Sequence, residues 1–245
     1  MTIKLTAAAV AAATICAGAA SADVLRYNAN VGALNFRPAD NPAQTAENGF
    51  DVSGSAAFAF DTLTQILSVD VDVAGLLPNV AHAQHIHGPA GDARTPTLAD
   101  DTDGDGFIEL LEGVPGYGPI LLSLGTGIDE MGGVIFPVAN AMGVLDFTMD
   151  YDLSTGANPF LNGDTTVDDL MPAMLSQREY VVHGAFVPED AGLSVFDGQP
   201  DGIVGAYNPV LPVGAGEISA IPLPAGAWLL LAGLGALGAT RKRRG

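Results

Sequence analysis

Gln65-Ile-Leu-Ser-Val-Asp-Val-Asp-Val73 places Leu67, Val69, Val71 and Val73 on one side of an extended chain and Ser68, Asp70 and Asp72 on the other. That period-two pattern predicts a strand with one face in a core and the other in water. Ser55-Ala-Ala-Phe-Ala-Phe60 before it and Gly143-Val-Leu-Asp-Phe-Thr-Met-Asp-Tyr151 after it repeat the alternation. Pro119–Leu124 and Glu179–Val187 are rich in β-branched and aromatic residues, and Gly, Pro, Asn and Asp separate all these runs. Only Val167–Gln177, carrying Leu170, Met171 and Met174, has a helical pattern. Many short strands with no strand-helix-strand rhythm predict an all-β protein, an antiparallel Greek-key β-sandwich with one short helix.

The two ends read differently from this body. Lys4, an Ala-rich apolar stretch and Ala20-Ser21-Ala22 have the order of a secretory signal peptide with its cleavage site, which assigns residues 1–22 to a leader and makes the protein exported. The single cysteine, Cys16, lies in that leader, so no disulfide is expected in the domain that follows. At the other end Ile221-Pro-Leu-Pro-Ala225 precedes an apolar run over Gly226–Ala239 and the basic cluster Arg241-Lys242-Arg243-Arg244. Residues 221–245 are expected to form a sorting signal whose apolar helix holds the chain in the membrane before processing, with the basic cluster cytoplasmic.

Between them, residues 23–220 suffice for one β-rich domain. Its basic residues are Arg26, Arg37, Arg94 and Arg178 against all 28 acids, a net charge of −24. Such a surface repels nucleic acid and anionic lipid and attracts divalent cations.

Two groups of residues carry metal-binding chemistry. Three of the four histidines fall in His82-Ala-Gln-His85-Ile-His87-Gly88 and the fourth in Tyr180-Val-Val-His183. On a strand His85 and His87 share a face, as two imidazoles must to share one ion. With His183, three such ligands suit copper or zinc, and the alternative is that they are hydrogen-bonded core residues. The second group, Asp101-Thr-Asp103-Gly-Asp105-Gly106-Phe107-Ile108-Glu109-Leu-Leu-Glu112, fits the calcium-loop pattern D-x-D-x-D-G-x5-E. Asp101, Asp103, Asp105, Glu109 and Glu112 are its expected carboxylate ligands and Phe107 supplies the backbone carbonyl. Pro96 limits an entering helix, and Gly113-Val-Pro115 should end the leaving one after about a turn, so the loop reads as an unpaired structural calcium site of about 10⁻⁴ to 10⁻³ M affinity. Asp197-Gly-Gln-Pro-Asp201-Gly202 is a second acidic loop with few ligands. No nucleophile elbow, P-loop, H-E-x-x-H or C-x-x-C occurs, and no catalytic residue is assigned.

Gly54-Ser-Ala-Ala-Phe, Leu67–Leu76, His85-Ile-His87-Gly88-Pro89, Tyr180-Val-Val-His183 and Gly214-Ala-Gly216-Glu217-Ile218 together resemble the chordin-type (CHRD) domain in order and spacing. The acidic loop between Gly91 and Gly113 would be an insertion into that domain. The tail resembles the VPLPA-type sorting signals read by exosortase systems, with Ile221 in place of Val, which implies an exosortase-type partner and delivery to the cell surface or matrix. More distantly, His82-x-x-His85-x-His87 and Val181-Val182-His183 are similar to the copper/zinc superoxide dismutases. That resemblance implies copper on His85, His87 and His183, with His82 as a strut bonded to backbone. The chain departs from it in having no further histidine for a zinc site, no cysteine in the body, and Glu217 where a guiding arginine is expected. The function expected is therefore a secreted or cell-surface metal-binding adhesion or matrix component, leaning away from catalysis. A copper-dependent redox enzyme is the alternative.

Overall fold

Among the described residues ten strands and two short helices follow one another: β1 (Val24–Ala33), β2 (Ser53–Asp61), β3 (Ile66–Ala74), β4 (Gln84–His87), α1 (Leu110–Tyr117), β5 (Ile120–Ser123), β6 (Gly127–Ile128), β7 (Val134–Ile135), β8 (Leu145–Asp152), α2 (Val167–Leu170), β9 (Glu179–Val187) and β10 (Ala206–Ala220). This computed structural model describes residues 24–89, 91–155, 158–170, 175–193 and 203–221. The expected leader, Met171 and Met174, the second acidic loop and the tail after Ile221 lie outside them. Among the described residues no helix is long and apolar enough to cross a membrane.

Eight strands form one curled antiparallel sheet in the order β5-β4-β9-β10-β1-β2-β3-β8, and β6-β7 make a small separate hairpin. The connections from β3 to β4 and from β8 to β9 pass between non-neighbouring strands, as in a Greek key. Curling brings the sheet's two ends together. The Tyr151 hydroxyl of β8 donates to the Gly125 carbonyl just beyond β5, at 2.9 Å, and His82 before β4 donates its backbone N–H to the Pro137 carbonyl at 3.0 Å. The all-β sandwich expected from the sequence is thus a single sheet folded over its own core.

That core takes one face of each strand. Ala56, Phe58 and Phe60 of β2, Leu67, Val69, Val71 and Val73 of β3, and Leu145, Phe147 and Tyr151 of β8 are buried beside Ile86, Tyr180, Val182 and Leu211. On β1, β2, β3 and β8 the alternate residues face water, and Asp70, Asp72 and Asp146 are exposed. On β4 and β9 both faces are buried. Their outer face is covered by the 91–118 segment, where Tyr117 packs with Leu34, Val181 and Ala215 in a second small cluster.

The covering segment differs from expectation at its helix. The helix leaving the acidic loop continues past Pro115 to Tyr117, two turns rather than one. Pro115 removes one backbone donor, but burial of Tyr117 carries the helix through. In place of an entering helix there is one 3₁₀ turn, Leu98–Asp100, capped by Thr97.

Candidate metal centre

Strand alternation sends Ile86 into the core and His85 and His87 to the outer face, and antiparallel pairing sets β9 beside them with His85 opposite Val181 and His87 opposite Glu179. His183 projects on the same side, and all four histidines are buried. The ring centroids of His85 and His183 are 5.1 Å apart, those of His85 and His87 5.5 Å, and those of His87 and His183 6.0 Å. One ligand nitrogen from each of the three lies within 4.8 Å of the other two.

Hydrogen bonds decide which nitrogens are bare. His87 Nδ1 sits 2.9 Å from the Gly118 carbonyl and His183 Nδ1 2.7 Å from the Val210 carbonyl. A carbonyl only accepts, so both Nδ1 atoms carry the proton and both Nε2 atoms of the neutral rings keep a lone pair. His87 Nε2, His183 Nε2 and His85 Nδ1 are buried with no hydrogen-bond partner. Leaving a buried polar atom unpaired costs about 1–3 kcal/mol. Three such atoms, one on each of these adjoining rings, offer a set of ligands for an ion bonded at about 2.0 Å, which needs nitrogens about 3.5 Å apart.

Both supporting carbonyls are placed by backbone irregularities. Gly118 caps α1 at φ +81°, a conformation an L side chain rarely adopts, and a Cβ there would lie 2.2 Å from the Pro89 nitrogen. Val210 lies in a register shift of β10 between Asn208 and Pro212, where Asn208 Oδ1 accepts from the Val210 and Leu211 N–H groups. Such an interruption re-aims a group out of the ladder.

Burial moves all three rings toward neutrality. It drives His85 well below 6.5, helped by His183 and His87. It lowers His87 to about 3, again with His183, and His183 to about 4 against the pull of the Val210 carbonyl. Neutral imidazole is the form that binds metal. Tyr117 lies against His87 with ring centroids 4.6 Å apart, and Phe136 against His85 at 5.4 Å. His82 stands apart from this set: its Nδ1 is 2.9 Å from the His183 carbonyl and its Nε2 2.9 Å from the Leu77 carbonyl, so each nitrogen faces backbone and the neutral ring donates to one of the two carbonyls.

The acidic loop forms a second candidate. Gly104 and Gly106 adopt φ of +78° and +89° and donate their N–H groups to the two carboxylate oxygens of Asp101. Carboxylate oxygens of Asp101, Asp103 and Glu112 lie within 4.8 Å of one another, as do those of Asp103, Asp105 and Glu109. The two triplets share Asp103. Phe107 anchors the loop in the core against Phe50, at 5.9 Å between centroids. Glu112 is pushed up by burial, but N–H and O–H donors from Thr102 and the Glu109 N–H hold it below the usual carboxylate range. Glu109 is the opposite case. It is fully buried, and burial, the Glu112 side chain hydrogen-bonded to it, and the charges of Asp105, Glu112 and Asp103 push it up to about 9. A divalent cation would relieve all of that at once.

The two candidates are joined through the covering segment. α1 begins beside Glu109 and ends at Gly118, whose carbonyl holds His87. Asn35 accepts from Ile108 N–H and donates to the Ile108 and Pro212 carbonyls, and Pro212 is the β10 partner of His183.

Some of the site's surroundings have no sequence signal. Tyr117 comes from the end of α1, Phe136 and the Gly118 carbonyl from loops, and the Val210 carbonyl from an irregular strand. Glu179, opposite His87, is buried without a carboxylate partner, and burial pushes it up to about 7. Only its position within an otherwise apolar strand marks it in the sequence. No protein-family model matches this chain, and no curated protein matches its sequence.

Proposed function

We propose that this chain is an exported, surface-delivered β-sandwich of the chordin type that holds copper or zinc between His85, His87 and His183 and calcium in the 101–112 loop. It acts as a metal-binding adhesion or matrix component. The observation that carries this reading is the convergence of three buried, neutral, unpartnered ring nitrogens from two strands nearly a hundred residues apart. His82, by contrast, has a backbone carbonyl within 2.9 Å of each ring nitrogen. When bound, copper would supply one-electron chemistry and zinc a Lewis acid; the residues here hold the ion, fix its ligands' tautomers through Gly118 and Val210, and wall it with Tyr117 and Phe136. The calcium loop ties down the segment that covers the histidines.

A copper-dependent redox enzyme is the second reading, favoured by three ligands leaving a position open to a small molecule. Against it stand the charge of −24 on residues 23–220, which repels anionic substrates such as superoxide, and the Phe136 ring set edge to face against His85. Loading the purified protein with Cu²⁺ separates the readings. The proposal expects one equivalent bound with the absorption and paramagnetic spectrum of a nitrogen-ligated ion, lost in His85→Ala, and no superoxide turnover. Turnover abolished by His85→Ala favours the enzyme, and absence of stoichiometric binding removes the histidine site from both.

A further inference from the structure

Beside the acidic loop lies a surface cleft of about 350 Å³, lined by Arg37, Asn41, Gln44, Leu98, Asp101 and Asp105 among others. Its volume falls in the range of small-ligand sites, about 300–1,000 Å³. Two of its side chains are incompletely satisfied. Gln44 is fully buried and donates Nε2 to the Gly106 carbonyl at 2.8 Å, while its Oε1 accepts nothing. Arg37 has a buried Nη1 with no acceptor, and among the described residues the one side-chain ion pair is Arg94–Asp100, elsewhere in the loop. A guanidinium in a chain with 28 acids and no carboxylate on its fork calls for an explanation.

The neighbouring loop supplies one. Asp101 and, less strongly, Asp40 attract Arg37, but neither forms an ion pair with it, and each Asp101 oxygen accepts from one of the Gly104 and Gly106 N–H groups. On the reading that Asp101 is a calcium ligand, filling the loop neutralises Asp101 and removes the larger of the two attractions on Arg37, leaving that of the exposed Asp40. Around the cleft there are then a guanidinium fork for a carboxylate, Asp40 at the rim, an amide oxygen for a hydroxyl donor, a divalent cation at the wall, and Leu98, 43% exposed, as an apolar surface for a ring face. We propose that this cleft is a calcium-dependent site for the uronate unit of an acidic polysaccharide, with the sugar carboxylate on Arg37 and a hydroxyl on Gln44 Oε1.

The inference rests on the calcium reading of the loop, and the charge of −24 carried by residues 23–220 sharpens it. A polyanion is repelled by the surface at large, so attachment without calcium is not expected. Coupling is reciprocal, so uronate tightens calcium by the same factor that calcium tightens uronate.

The test uses the full-length protein and oligogalacturonates too short to gel, titrated by calorimetry in millimolar calcium and in chelator. Calcium alone is titrated in parallel, so the two readings can fail separately. Binding is expected in calcium only, absent for the methyl-esterified oligosaccharide, and at least about tenfold weaker in Arg37→Gln, the cost of a lost charged hydrogen bond. Arg37→Gln should bind calcium as well as or better than the parent, because a nearby positive charge is gone. Calcium binding with no uronate binding, uronate binding untouched by Arg37→Gln, or equal binding of polyglutamate would overturn the proposal and leave the calcium site standing. Absence of calcium binding overturns both.

Discussion

The two halves of the sheet are built by the same rule and end in different states. In β1, β2, β3 and β8 one face is packed and the other wet, and charged residues such as Asp70, Asp72 and Asp146 on the wet face stay in contact with solvent. In β4 and β9 the second face is roofed by the 91–118 segment, and the polar residues there become buried groups in need of partners. Roofing a sheet face turns ordinary histidines and carboxylates into high-cost, low-dielectric chemistry. The open half stabilises the fold; the roofed half holds every unpartnered histidine nitrogen.

Truncation in the open half should be the costliest single change and should leave the metal site alone. Phe58 is buried at the centre of the core, and Phe58→Ala is expected to lose about 3–5 kcal/mol in urea unfolding. Copper affinity of the folded fraction should not change. If it falls, the halves are not separable as described.

The roofed half should dominate the response to pH. His85, His87 and His183 have folded values far below 6.5, so the unfolded chain takes up protons that the metal-free folded chain refuses. Stability therefore falls as pH drops from about 6.5 toward about 3, by a few kcal/mol. Glu179 and Glu109 run the other way. Raised to about 7 and about 9, they hold protons the unfolded chain has lost, so stability falls as pH rises from about 4.5 through those values. Chemical denaturation across pH should show a maximum in the mildly acidic range, and Glu109→Gln should flatten the alkaline limb. A stability curve unmoved by that variant would show that the buried carboxyl is not a source of the alkaline loss.

Calcium should act on that same limb, since it takes the proton's place on Glu109. At tenfold its dissociation constant it is expected to add about 1.4 kcal/mol at pH 8, with amide exchange slowed through residues 101–118 rather than in β2 or β3. Protection spread evenly over both halves would contradict the roof as a separate, calcium-held unit.

The smallest effect belongs to the wet face. Asp72 and Asp146 are exposed and directly opposed across β3 and β8, so Asp72→Asn should change stability by no more than about 0.5 kcal/mol, in the stabilising direction. A clear loss would mean that face has a bound partner.

The same contrast explains what the sequence made legible. β2, β3 and β8 announce themselves by alternation because water marks one face, and β1 carries the same signal, more weakly, in Tyr27, Ala29 and Val31. β10 is legible only at its end, because Pro209, Pro212, Gly214 and Gly216 break the pattern; the register shift that brings Val210 to His183 is the physical counterpart of that irregular sequence. The pairing of His85 with His87 followed from spacing alone. The nearness of His183 depended on strand order, which is non-local. The roof was the least legible part: α1 contains Gly113, Pro115 and Gly116, each a poor helix residue, and forms because Tyr117 is buried against His87.

X-ray absorption at the copper edge of the loaded protein tests the central claim most directly. Three imidazole nitrogens at about 2.0 Å are expected, falling to two in His183→Ala while the far-ultraviolet β signature is retained. A copper shell dominated by carboxylate oxygens, or one unchanged by His183→Ala, would contradict a shared ion between β4 and β9.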